Sequence, residues 1–195
     1  MSPDIETLIQ KISRLPGLGP RSARRIVIHL MGNREQSLEP ILTSLGHIYK
    51  NIKTCPLCGN LDAFAEVCSI CSNPRRRRDI ICIVENVSDL WAIERTSCFN
   101  GQYHVLKGLL SSLDGRGPEF LKLDNLQQRC KENTVSEIVV ALIATVEGQT
   151  TDHYIRNFFK DKHIKITSLA HGIPMGGELD YLDDGTLFTA FSARS

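Results

Sequence analysis

The sequence predicts an α+β chain built from several small modules, and three observations predict it. Two apolar stripes at helical spacing flank a glycine turn near the amino end. Two Cys-x2-Cys pairs follow. From residue 79 onward, short apolar runs alternate with helical patterns, which implies a parallel sheet with flanking helices. At 195 residues and 42% hydrophobic, the chain carries enough apolar surface for a core in one or two small domains.

The first module rests on Ile5, Leu8, Ile9 and Ile12 before the turn and on Ala23, Ile26, Val27 and Leu30 after it, both at helical spacing. Between them runs Leu15-Pro16-Gly17-Leu18-Gly19-Pro20-Arg21-Ser22-Ala23-Arg24-Arg25. Gly17 and Gly19 allow a sharp turn and close approach of a partner. Pro20 suits the first helical position, where its missing N–H has no intrahelical partner to lose. The free N–H groups at that helix start, with the dipole behind them, favour an anion such as a phosphate. Arg21, Arg24 and Arg25 follow within about two turns. The pattern predicts a helix-hairpin-helix over residues 1–53 that binds DNA through its backbone rather than its bases. The competing reading is an ordinary helical hairpin with a solvated charged face.

Charge distribution agrees with the first reading. The net charge is only +1, which excludes a simple polycation. Residues 1–78, however, hold 12 Lys and Arg against 6 Asp and Glu, and the remainder holds 11 against 16. The basic end is where nucleic acid is expected. No apolar run approaches a membrane span, and Asp4 and Glu6 interrupt the start, so a cytoplasmic chain without membrane contact is expected.

Cys55-Pro56-Leu57-Cys58 and Cys68-Ser69-Ile70-Cys71 are two knuckles nine residues apart. Facing each other, they complete a tetrahedral sulfur site with zinc–sulfur distances of about 2.3 Å. Four protein ligands leave no open position, so the expected zinc is structural, one per chain, in a finger and basic linker over 54–78. Bound metal would supply about 10–16 kcal/mol of folding energy to a segment with little core of its own. A redox Cys-x-x-Cys, a cluster of buried thiols and an iron–sulfur cluster are the alternatives. Cys82 reads as a small buried hydrophobe, and Cys98 and Cys130 have no partner pattern. Arg75-Arg76-Arg77-Arg78 reads equally as a solvated linker or as further phosphate contacts.

Strands are expected at 80–85, 103–106, 137–143 and 164–167. Helices are expected at 86–95 with Ser88 or Asp89 as cap, at 123–130, and from about Asp152 to Phe159. Functional groups of such sheets gather at the carboxyl ends of the strands, where Glu85 and Glu147 are expected. Two acids there could hold Mg2+ through oxygen ligands. The arrangement resembles the Toprim fold of topoisomerases, primases and certain nucleases, expected here over 79–174. Catalytic Toprim members carry a further Asp-x-Asp, whereas this chain has Glu147-Gly148-Gln149. A scaffold without chemistry is therefore expected, with a Mg-dependent Toprim nuclease or topoisomerase-like enzyme as the alternative.

Residues 175–195 form a short C-terminal segment. The stretch from His171 to Asp183 is glycine-rich but lacks the lysine-bearing phosphate loop, here and elsewhere in the chain. It is expected to pack on another subunit, with His171 in a local hydrogen bond.

Taken in order, Leu15–Arg25, the two cysteine pairs, Ile81-Cys82-Ile83-Val84-Glu85, Thr145-Val146-Glu147-Gly148 and Gly172-Ile173-Pro174-Met175-Gly176-Gly177-Glu178-Leu179 resemble the bacterial RecR recombination-mediator family over nearly the whole chain. The resemblance implies a helix-hairpin-helix, a zinc finger, a Toprim domain and a C-terminal segment likened to Walker B. It further implies a ring-shaped tetramer able to encircle DNA, and work with RecO and RecF in loading RecA onto gapped DNA. By motif, Arg21 and Arg25 match the family's DNA contacts, the four cysteines its zinc ligands, and Glu85 and Glu147 its Toprim acids. Ile143 stands where the family commonly has Asn, and Gln149 where it commonly has Glu.

Overall fold

A computed structural model describes all residues except 1, 64–65, 122, 133, 161, 171–172, 174–175, 177 and 193–195. The chain divides into two compact units, Met1–Ile52 and Lys53–Ser195.

In the first unit, α1 (Pro3–Ser13) and α2 (Pro20–Gly32) pack against each other across the glycine turn. Asp4 and Glu6 lie in the first turn of α1 and Lys11 in its last, the arrangement its dipole favours. Ile9, Ala23 and Val27 are buried, with Ile5, Leu8, Ile12 and Met31 packed around them. This small core follows the two predicted stripes. Beyond it, a turn of π-helix (Arg34–Leu38) leads into α3 (Glu39–Asn51). None of α3's residues is buried, and Ile41, Leu42, Leu45 and Ile48 are exposed.

The second unit centres on four parallel strands, β3 (Ile80–Val84), β4 (Gln102–Val105), β5 (Glu137–Ala141) and β6 (Lys165–Ser168). They lie in the order β4-β3-β5-β6, with Cys82 level with Tyr103 on one side and Val139 on the other. Period-two alternation sorts β3 onto two cores. Ile81 and Ile83 join Ile138, Val140, Leu126, Ile155 and Phe159 under α6 (Leu123–Glu132) and α7 (Val146–Phe159). Cys82 and Val84 join Tyr103, Val105 and Leu90 of α5 (Val87–Thr96).

That second core also contains all four cysteines of the finger. The finger comprises a short ladder, β1 (Ile52–Thr54) with β2 (Leu61–Ala63), followed by the single turn α4 (Ser69–Ser72). The segment expected to lack a core of its own shares that of the sheet. Its first knuckle also covers the free edge of β4, since Val105 N–H donates to Cys58 O at 2.8 Å. Edge strands with unpaired backbone groups are otherwise open to pairing with other chains.

Three expectations need correction. The cap of α5 is Asn86, whose side chain accepts from Asp89 N–H, while Asp89 accepts from Asn86 N–H in return, closing a capping box. The third strand ends at Ala141 rather than residue 143. The following helix starts at Val146 rather than Asp152, because Thr145 caps it by accepting from Gly148 N–H at 3.2 Å. A Cβ on Gly148 would lie 1.9 Å from Ile143 O, so glycine here serves close backbone approach rather than breaking a helix. Glu147 consequently belongs to the first turn of α7, not to a strand end. Residues 171–172, 174–175 and 177 of the glycine-rich stretch, His171 included, lie outside the described residues; Leu179–Tyr181 forms a 3-10 turn and Asp184–Ser192 a final helix, α8.

Candidate nucleic-acid interface and metal centre

Gly17 adopts φ +76°, the left-handed region that costs a residue with a Cβ about 1 kcal/mol or more. Gly19 is different: as the N-cap of α2 it has φ −89° and ψ 171°, which any residue can adopt. A Cβ at Gly19 would meet nothing within 4 Å, so nothing folded beside it demands glycine there. Pro20 follows at the first helical position, and no side chain caps the helix start. The first intrahelical bond is Ala23 N–H to Gly19 O at 2.9 Å, which leaves the Arg21 and Ser22 N–H groups pointing out of the helix end. Arg21, Arg24 and Arg25 are all exposed. None has an ion-pair partner among the described residues. The result is an uncapped helix start beside three uncompensated guanidinium groups, a chemistry suited to phosphate.

The four cysteines converge as their spacing predicts. Their Sγ atoms all lie within 4.8 Å of one another, with Cys58 and Cys68 at 3.4 Å and Cys55 and Cys71 at 4.0 Å. Tetrahedral sulfur ligands at ~2.3 Å from a metal are about 3.8 Å apart, so the set fits a four-coordinate ion. All four are buried. Hydrogen bonding from Cys58 holds the Cys68 thiol well below its ordinary range. Its counterpart Cys58 is pushed up to about 12, chiefly by that same pairing, and Cys71 is likewise pushed up. A protonated cluster of this kind must shed protons to bind metal. Asn60 N–H donates to Cys58 Sγ at 3.4 Å, and Asn60 Oδ1 accepts from Trp91 Nε1 at 2.9 Å. The knuckle is thereby tied to α5, a support the cysteine spacing does not reveal.

The arginine run divides. Arg76 pairs with Glu94, donates to Gly101 O at 3.0 Å and lies over the Tyr103 ring at 6.0 Å. Glu94 also accepts from Tyr103 Oη at 2.7 Å. Arg77 pairs with Asp79 at 2.6 Å. The side chains of Arg75 and Arg78 are exposed and unpaired among the described residues.

Glu85 directly follows β3, and Glu147 stands in the first turn of α7; both are half-buried. Neither carboxylate has a hydrogen-bond partner among the described residues. The cysteine cluster is the only group of three or more His, Cys, Asp or Glu ligand atoms brought together among the described residues. Neither Glu85 nor Glu147 belongs to such a group among the described residues. A cavity of about 50 Å3 beyond the ends of β5 and β6 is lined by Gly148, Gln149 and Asp152. Sequence reasoning missed Asp152, whose Oδ1 is buried without a partner while Oδ2 accepts from Arg156.

Comparison with known proteins agrees with this arrangement. Residues 5–48 match the RecR helix-hairpin-helix family, 79–170 the Toprim domain, and 172–195 the RecR C-terminal family. Recombination protein RecR of Rhodospirillum rubrum is 53% identical over 191 residues, covering 98% of this chain and 96% of its own. The chain belongs to the RecR family. Recombination protein RecR of Sinorhizobium fredii, at 50% identity, and that of Rhodopseudomonas palustris, at 51%, each cover 99% of this chain and 96% of their own. These RecR relatives extend through the cysteine cluster, which lies between the matched helix-hairpin-helix and Toprim regions. No helix among the described residues is long and apolar enough to cross a membrane.

Proposed function

We propose that this chain is a non-enzymatic recombination mediator in DNA repair that clamps gapped, single- or double-stranded DNA without sequence preference. The single observation that carries the reading is the uncapped start of α2 beside Arg21, Arg24 and Arg25. Backbone N–H groups at Arg21 and Ser22 take phosphate oxygens, and the three arginines supply the charge. Gly17 forms the turn, and Gly19 leaves room for a sugar-phosphate chain. The cysteines hold one structural zinc. Membership of the RecR family supports action in the bacterial cytoplasm with RecO- and RecF-type proteins to load RecA. The same membership supports a tetramer, and the exposed stripe Ile41, Leu45 and Ile48 on α3 offers apolar surface for subunit contact. Glu85 and Glu147 serve as an acidic face for a partner rather than as a catalytic metal site, since neither belongs to a group of three or more ligand atoms among the described residues.

The double variant Arg21→Ala/Arg25→Ala should weaken binding to all DNA sequences alike. Its log–log salt slope on duplex should flatten by about 0.9 for each phosphate no longer neutralised. Unchanged affinity and slope would remove the hairpin as the DNA-binding surface. Mg2+-dependent DNA cleavage or relaxation by the wild type, abolished in Glu85→Ala, would instead establish an enzyme.

A further inference from the structure

Among the described residues, Arg129 is the cation whose burial is hardest to account for. It is 5% exposed, yet no carboxylate lies within ion-pair distance of it among those residues. Its Nη1 donates to Leu57 O at 2.8 Å and Tyr103 O at 2.9 Å, so that one nitrogen joins the first knuckle to β4. Its remaining donors, Nη2 and Nε, have no partner among the described residues. Neither is shut off from solvent, so both open onto accessible space, and a guanidinium so placed gains from an anion there.

A second buried donor lies beside it. Gln102 is 5% exposed and its Nε2 has no hydrogen-bond partner. Rotating that amide exchanges its two ends without changing its shape, so either can face an incoming group. Arg129 and Gln102 line one cavity of about 290 Å3, with Ser72 of the finger and Arg78 at its exposed side. Glu132 also lines it, but is exposed and accepts from Gln128 at 2.8 Å instead of pairing with either arginine. Cys71 of the cluster lines it as well, so two cations face one carboxylate and one cluster sulfur in a space of about ten water volumes.

We propose that this notch between finger and sheet is an oxyanion site that receives a phosphate group of the bound nucleic acid, an inference that rests on the DNA-binding reading above. Arg75 decides between a nucleic acid and an isolated acid. With Arg76 and Arg77 tied to Glu94 and Asp79, the free cations of the run are Arg78 at the notch and Arg75 outside it. A repeating polyanion engages both, whereas a single carboxylate engages one. Arg129 and Gln102 bind the inserted oxygens, and Arg78 closes over them.

The test uses the full-length, metal-loaded protein, so the charge of the thiolates is in place. Inorganic phosphate is titrated against chloride at matched ionic strength while the Tm is followed. The wild type should gain about 3 °C once phosphate exceeds its Kd tenfold, and the gain should go on rising with the logarithm of phosphate concentration. Arg78→Ala and Gln102→Leu should each abolish that gain, and Glu132→Gln should reach it at lower phosphate. Arg78→Ala should also lower the duplex salt slope by about 0.9, in the wild-type background and in Arg21→Ala/Arg25→Ala alike. A wild-type response no larger than with chloride, or one retained by both variants, overturns the site. An abolished phosphate response with unchanged DNA slope overturns the nucleic-acid assignment. Failure of the hairpin itself is read separately, from the slope of Arg21→Ala/Arg25→Ala alone.

Discussion

His104 shows how burial fixes the behaviour of one residue. It lies in β4, 7% exposed, with Nδ1 3.5 Å from Arg129 Nη1. Burial, and then the neighbouring guanidinium, push its pKa down to about 3, against about 6.5 for an unfolded histidine. The unfolded chain therefore takes up this proton first as pH falls. The stabilising contribution is complete above pH 6.5 and is lost progressively as pH drops toward 3. Between pH 7.5 and 5.5 the loss amounts to about 1.4 kcal/mol. Urea unfolding at those two pH values should show the wild type losing that much more stability than His104→Gln. Equal losses in the two proteins would mean that the folded ring accepts protons freely.

At the scale of elements, the arginine run separates fold from function. Arg76 is 13% exposed and Glu94 23% in its side chain. Removing the arginine leaves Glu94 half-buried beside Tyr103. Arg76→Ala should therefore cost about 2 kcal/mol of stability, measured by denaturant midpoint, without altering the salt slope of DNA binding. A flattened slope with intact stability would mean that the cation faces phosphate instead of Glu94. The four arginines look alike in the sequence because the partners that single out Arg76 and Arg77 come from α5 and the strand starts. Elements defined by local pattern were legible: the stripes around Gly17, the cysteine knuckles, and the apolar run of β3. α3 was not, since its Ile41, Leu45 and Ile48 are exposed and its place in the fold does not follow from burial. The start of α7 was hidden because it depends on the Thr145 cap and on the close approach of Ile143 O to Gly148, neither of which the apolar pattern records. Arg129 and Gln102 gave no signal at all, because what distinguishes them is burial without a partner.

For the molecule as a whole, the decisive feature is that finger and sheet are not independent. The four cysteines share a core with Cys82, Leu90, Tyr103 and Val105, and Cys58 O accepts from the edge strand at Val105. A finger with no core of its own would unfold alone when its metal is removed, leaving the Toprim sheet intact. With an ion held by the four cysteines, its loss would leave four crowded thiols to reprotonate against that shared core. Chelation should thus lower the stability of the sheet as well as that of the finger, and should proceed more readily at pH 6 than at pH 8, because protons compete for the thiolates. Hydrogen exchange gives the direct measurement. After chelator treatment, the Val105 amide should lose protection together with the finger amides Cys55 and Gly59, while α1 and α2, whose core lies within the first unit, should retain theirs. If Val105 stays protected while the finger exchanges freely, the knuckle rests on the sheet without closing its edge, and metal and Toprim stability are uncoupled.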